Sequence, residues 1–208
     1  MAVDASDPSS PSPSSSQLSS THHYYVAVDR MLFKTEALVD LLGVAGRRRS
    51  LPIVLCCSSR DELDGVCSTV SNLPYISLDS LYSDLAESKR ALILDKFRQA
   101  TAERNQSSSV QSVDSKKEDE ENKSHLIVVT DVCLPLLAFG EAPLSAPVLI
   151  NYELPTKKEI YVRRMSTCLA ADGIVINLVT GGEIVTMRGI ESLGFVIAEM
   201  PIEISEIL

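Results

Sequence analysis

Residues 53–66 read IVLCCSSRDELDGV. The first five are apolar without alternation, so a strand made from them is buried on both faces. The residues that follow turn polar and then restore apolar side chains at helical spacing, with Leu63, Val66, Cys67 and Val70 on one face. A doubly buried strand that feeds directly into an amphipathic helix is the unit of a parallel sheet covered by helices.

Working outward, the LIVV run at 126–129 is a second strand of this kind. Shorter runs predict strands at 25–28, 52–57, 75–78, 125–130, 147–151, 174–179 and 195–198. Between them the spacing predicts helices over 34–42, 60–70, 86–98, 156–165 and 183–193. Strand alternating with helix gives an α/β fold, a three-layer αβα domain with a mostly parallel sheet. Ligands in that architecture sit at the carboxyl ends of strands, here near residues 58–60, 79–82 and 130–133.

Two segments fall outside this rhythm. Residues 1–23 are rich in Ser and Pro and predict a disordered tail; residues from about 101 to 124 are polar, Ser-rich and then charged, and predict a flexible surface insertion in the domain spanning 24–208. No apolar stretch approaches the roughly 20 residues of a bilayer span. The N-terminus lacks the basic start and apolar stretch of a secretory signal, so an intracellular protein is expected, cytoplasmic or nuclear and not secreted. Cys56, Cys57, Cys67, Cys133 and Cys168 form no CxxC pair and are expected to be reduced, small buried hydrophobes.

The net charge of −9 falls unevenly: −2 in residues 1–23, balance in 24–100, −2 in 101–124 and −5 in 125–208. A domain built to neutralise many phosphates carries a Lys/Arg excess, and this one does not. The Arg47, Arg48 and Arg49 run is the local exception, expected to be a solvated turn after a helix. Known chemistry is also sparse. There is no GxxxxGK[ST] or GxGxxG phosphate loop, no GxSxG elbow and no HExxH. His22, His23 and His125 lie beside the tail or at a strand start, which predicts no catalytic Cys/His pair and no metal site.

Seven segments then carry a resemblance. YYVAVD (24–29), the stretch quoted first, SKRALILDKFR (88–98), IVVTDV (127–132), LINYELPTKKEIYVRR (149–164), GIVINLV (173–179) and EMPIEI (199–204) resemble, in the same order, the second RecA-like domain of DEAD-box RNA helicases, the translation initiation factor 4A group above all. The resemblance implies a RecA-like, P-loop NTPase-type helicase C-terminal domain. No counterpart of the first RecA-like domain, with its phosphate loop and acidic motif, lies in these residues.

The departures bear on function. Where the family has a glycine- and arginine-rich run beginning His-Arg, this chain reads RRMSTCLAADG (163–173). Only Arg164 matches one of those arginines, a remnant of nucleotide binding, while Thr167 and Ala170 stand where the phosphate-facing arginines belong. An arginine of that kind contributes roughly 10³ to 10⁵ in rate. Thr-Asp-Val is kept at 130–132, but the Ala-Arg-Gly-Leu-Asp that follows in the family has become LPLLA at 134–138. Three positions that touch the RNA backbone in the family survive: Arg60, Arg90, which stands in a Gln-x-x-Arg motif with Glu87 in place of Gln, and Thr130. The expectation is a degenerate binding module without ATPase activity and without a cofactor. It would act in RNA metabolism or translation through RNA or a helical-repeat scaffold protein, with no membrane. The alternative is a helicase half-enzyme completed in trans by a first RecA-like domain.

Overall fold

The computed structural model describes residues 21–46, 48, 50–107, 123–201, 204 and 207. The expected tail, apart from residues 21–23, lies outside these, as do Arg47, Arg49 and residues 108–122.

Seven strands form one sheet: β1 (His22–Val28), β2 (Ile53–Cys57), β3 (Ile76–Leu81), β4 (Ser124–Thr130), β5 (Ala146–Asn151), β6 (Leu169–Thr180) and β7 (Ile197–Glu199). Their order is β3-β4-β2-β5-β6-β1-β7 and every pairing is parallel. The sheet is thus wholly parallel and lies between two helical layers, the three-layer αβα arrangement expected from the sequence. Helices α1 (Lys34–Ala45) and α2 (Arg60–Val70) cover one face; α3 (Glu87–Ser107), α4 (Lys158–Cys168) and α5 (Ile184–Glu191) cover the other.

Strand β2 shows how the sequence sorts the layers. Ile53, Leu55 and Cys57 join Leu38, Leu42, Leu63 and Val66 on the α1–α2 side, while Val54 and Cys56 join Leu94, Phe97, Tyr161 and Met165 on the other. Period-two alternation thus divides an unbroken apolar run between two cores. The five cysteines are free; Cys67 is half-buried and the other four are buried.

Several boundaries differ from expectation. Strand β6 begins at Leu169, five residues before the expected start, and Leu169 pairs with Ala146 of β5. Strand β1 begins at His22, inside the segment read as tail, because register with β6 pairs His22 with Ile174 and buries the His23 ring. Helix α3 runs nine residues past Arg98, so residues 101–107, expected to open the insertion, are helical. Their composition, TAERNQS, is polar but helix-compatible, and Thr101 is buried with its hydroxyl donating to the Phe97 carbonyl at 3.0 Å.

Candidate functional site

All strands being parallel, their carboxyl ends gather on one edge of the sheet. There the ends of β2, β3 and β4 enclose a cleft of about 130 Å³, lined among others by Ser58, Ser59, Arg60, Tyr82, Thr130 and Asp131. The three loops named from sequence do converge. Two of the three RNA candidates, Arg60 and Thr130, line this cleft; Arg90 and Arg164 do not.

Each candidate is engaged. Ser59 caps α2 by accepting the Glu62 N–H at 3.3 Å, which fixes Arg60 in the first turn. Arg60 Nη1 donates to Asp84 Oδ2 at 3.2 Å, and its guanidinium lies 5.0 Å from the centre of the Tyr82 ring. Tyr82 in turn donates to Asp64 at 2.7 Å, and that bond, with burial second, pushes the phenol up to about 12. The Thr130 hydroxyl donates to Cys133 Sγ at 3.4 Å. Arg90 forms a two-pronged pair with Glu141, bonds the Cys133 carbonyl at 3.4 Å and lies 3.8 Å from Glu87. Hydrogen bonding to Glu141 raises the Arg90 pKa, and the same bond lowers that of Glu141.

Arg164, expected from the resemblance to be a remnant of nucleotide binding, is fully enclosed. Its Nε and Nη2 donate to the two oxygens of Asp131 at 2.7 and 2.8 Å, and Nη1 donates to Asn151 Oδ1 at 2.9 Å and the Glu153 carbonyl at 2.8 Å. Burial, the largest influence, works against the charge, but the bond and charge of Asp131 together with Cys56 and Cys168 offset it, and the guanidinium pKa is raised. Thr167 is buried with its hydroxyl turned back onto the Arg163 carbonyl at 2.7 Å.

Beyond Arg164 the bonding continues through the core. Asn151 Nδ2 donates to Asn177 Oδ1 at 2.8 Å, Asn177 Nδ2 donates to the Tyr161 hydroxyl at 3.3 Å, and that hydroxyl meets His23 Nδ1 at 2.9 Å. His23 Nε2 reaches Thr21 Oγ1 at 3.0 Å. Because guanidinium can only donate, the links from Arg164 through Asn151 and Asn177 to the Tyr161 hydroxyl are oriented in turn, whereas the sense of the Tyr161–His23 and His23–Thr21 bonds follows the imidazole tautomer. Burial, and then the charge of His22, hold the His23 pKa down to about 4.

A second polar group closes the edge over β5 and β6. Buried Lys34 donates to the Tyr152 carbonyl at 2.9 Å and to Glu183 Oε2 at 2.7 Å, and Glu183 completes a capping box with Thr180. Nearby, Glu153 is pushed up to about 7, by burial first and then by the hydrogen bond and charge of Glu62, whose Oε2 is buried without a partner among the described residues. Sequence reading singled out neither this carboxyl pair nor Glu141 nor the polar chain. The available signal was a lone asparagine inside each of two apolar strands, LIN at 149–151 and VIN at 175–177.

No protein-family profile matches the chain. Among curated proteins it is similar to the ATP-dependent RNA helicase eIF4A of Saccharomyces cerevisiae, at 26% identity over 188 residues, and to that of Kluyveromyces lactis, at 27% over 187. These alignments cover 89% and 88% of this chain and 40% of each relative, so the chain spans about two fifths of the length of the curated relatives it matches. Among solved structures it is similar to the E. coli DEAD-box protein SrmB bound to regulator of ribonuclease activity A, with TM-score 0.58 and 18% identity over 88% of this chain and 92% of that one. It is likewise similar to the C-terminal domain of the DEAD-box protein Dbp5, with TM-score 0.60 and 17% identity over 88% of this chain and 91% of that one.

Proposed function

We propose that a chain with the fold of a DEAD-box C-terminal domain serves here as a helicase-derived binding module, acting in RNA metabolism or translation through a protein partner and without ATPase activity. The observation that carries this reading is the pairing of the cations at the carboxyl edge. Arg60, Arg90, Arg164 and Lys34 each hold a carboxylate of the same chain, so a phosphate group would have to displace an internal ion pair at every one of them. Thr167 and Ala170 supply no charge in place of an arginine whose contribution is about 10³ to 10⁵ in rate. The names of the curated relatives, ATP-dependent RNA helicases, support the setting in RNA metabolism. The SrmB complex with a regulator protein supports a protein partner, and a helical-repeat scaffold is the candidate that the family resemblance suggests.

Hydrolysis of millimolar ATP by the full chain, with and without RNA, tests the reading. The expected result is no turnover above a heat-denatured sample; turnover clearly above it sinks the reading. Residual RNA contact is the second reading, carried by Arg60 and Thr130 sharing one cleft. At about 150 mM salt, fluorescence anisotropy should detect almost no binding, because few phosphates can be neutralised. Micromolar affinity that Arg60→Glu with Arg90→Glu erases would make RNA the principal ligand. No observation favours the half-enzyme reading, which predicts turnover only when a first RecA-like domain is added.

A further inference from the structure

The connection from β4 to β5 carries no α-helix, only two single 3-10 turns at Asp131–Cys133 and Leu137–Phe139, and it turns its apolar side chains outward. Val132 is 77% and Phe139 84% exposed, and Leu136 and Leu137 are exposed beside them. This is not a loose loop. Leu134 and Leu144 anchor it in the core, and Gly140, at φ +86°, folds it back so that the Glu141 N–H reaches the Leu136 carbonyl at 3.3 Å. The Glu141 carboxylate then accepts the Leu136 N–H at 2.6 Å while holding Arg90. The segment is therefore braced with four large apolar groups facing water, and Val132 also lines the cleft.

What surrounds them indicates the occupant. Around the cleft and the start of α3 five carboxylates, Asp61, Asp64, Asp84, Glu87 and Glu141, stand against three cations, Arg60, Lys89 and Arg90, of which Arg60 is bound to Asp84 and Arg90 to Glu141, so the rim keeps a balance of −2. An apolar patch with an anionic rim repels a phosphate backbone and disfavours a second copy of a chain carrying −9. It complements a protein surface whose apolar side chains are flanked by Lys or Arg.

We infer that the braced 132–139 segment and the adjoining cleft form a docking face for a basic, apolar protein surface. This rests on the proposed role as a binding module. It deepens that role by assigning the face and the chemistry of the partner.

The test places the photoreactive residue p-benzoylphenylalanine at Phe139 of the full chain, in a native cell extract. A control chain carries it at Val196, which is 83% exposed at the opposite end of the strands. The expected result is a protein adduct at position 139 exceeding that at 196, whose cross-linked peptide has apolar residues beside Lys or Arg. Asp84→Lys with Glu87→Lys should lower its yield about tenfold by turning the rim against the partner. An adduct with RNA, an adduct with a second copy of this chain, a peptide without basic residues, insensitivity to rim reversal, or a yield no higher than at 196 overturns the inference. ATP turnover would overturn the module reading, whereas a specific protein adduct elsewhere would overturn only the placement of the face.

Discussion

Truncation of Arg164 to alanine strips the partner from Asp131 and from the side-chain carbonyl of Asn151 at one stroke. A charge left unpaired beside a closed core costs about 3–5 kcal/mol. Urea unfolding of Arg164→Ala should show that loss. A loss under about 1 kcal/mol, within the range of an exposed ion pair, would refute the structural role of Arg164. Tyr161→Phe is milder: one hydroxyl that bonds both neighbours disappears, leaving Asn177 and His23 short of a partner at a cost of about 1–3 kcal/mol. The residue scale is where sequence reading fell short. Arg164 stands out in the sequence only through the resemblance, and its bonding depends on residues 33, 13 and 11 positions away, on Asp131, Asn151 and Glu153, which only folding brings together.

At the scale of elements, strands were the most legible because a doubly buried strand needs only a short apolar run. Helix α2 was read with its observed limits, Arg60–Val70, since Ser59 gives a clear cap. Helix α3 was not, because nothing in TAERNQS stops a helix; polar composition was taken for a loop where a solvated helix face satisfies it equally well. The insertion is accordingly proposed to be shorter than it reads, beginning after Ser107. Replacing residues 108–122 with a short Gly/Ser linker should leave the melting temperature almost unchanged, as doubling a flexible loop costs only about 0.6 kcal/mol. A fall above about 5 °C would show that the replaced segment contributes more than 1 kcal/mol to the fold. Replacement starting at residue 99 should be far more damaging, since Thr101 is buried.

For the molecule as a whole, two groups set opposite dependences on pH. His23 has a folded pKa of about 4, below its usual 6.5, so the unfolded chain takes up this proton first as pH falls. Stability due to its neutral form is present above about 6.5 and is lost toward 4, by up to about 3 kcal/mol. Glu153, raised to about 7, acts the other way: the folded chain holds its proton longer, so stability falls as pH rises from the ordinary carboxylate value of 4.5 to 7. Between about pH 5 and 6.5 the fall due to Glu153 opposes the rise due to His23, to which His125, its pKa also lowered by burial, adds in the same sense, so the urea midpoint of the natural chain should climb only partly. Glu153→Gln removes the opposing side, and its midpoint should climb more steeply across that interval; a profile no steeper than that of the natural chain would refute the assignment.

The order of donors from Arg164 to Tyr161 also constrains how this core can change over generations. Each of these links hands its hydrogen in one sense, beginning at a group that can only give. An acceptor-only replacement at Asn177 would leave its neighbour at Tyr161 with no incoming hydrogen, whereas coordinated replacement of Asn151, Asn177 and Tyr161 by apolar side chains would leave no such debt among them. Drift through the centre of this sheet is therefore expected in blocks rather than in single steps, with the asparagines of β5 and β6 inherited or discarded together.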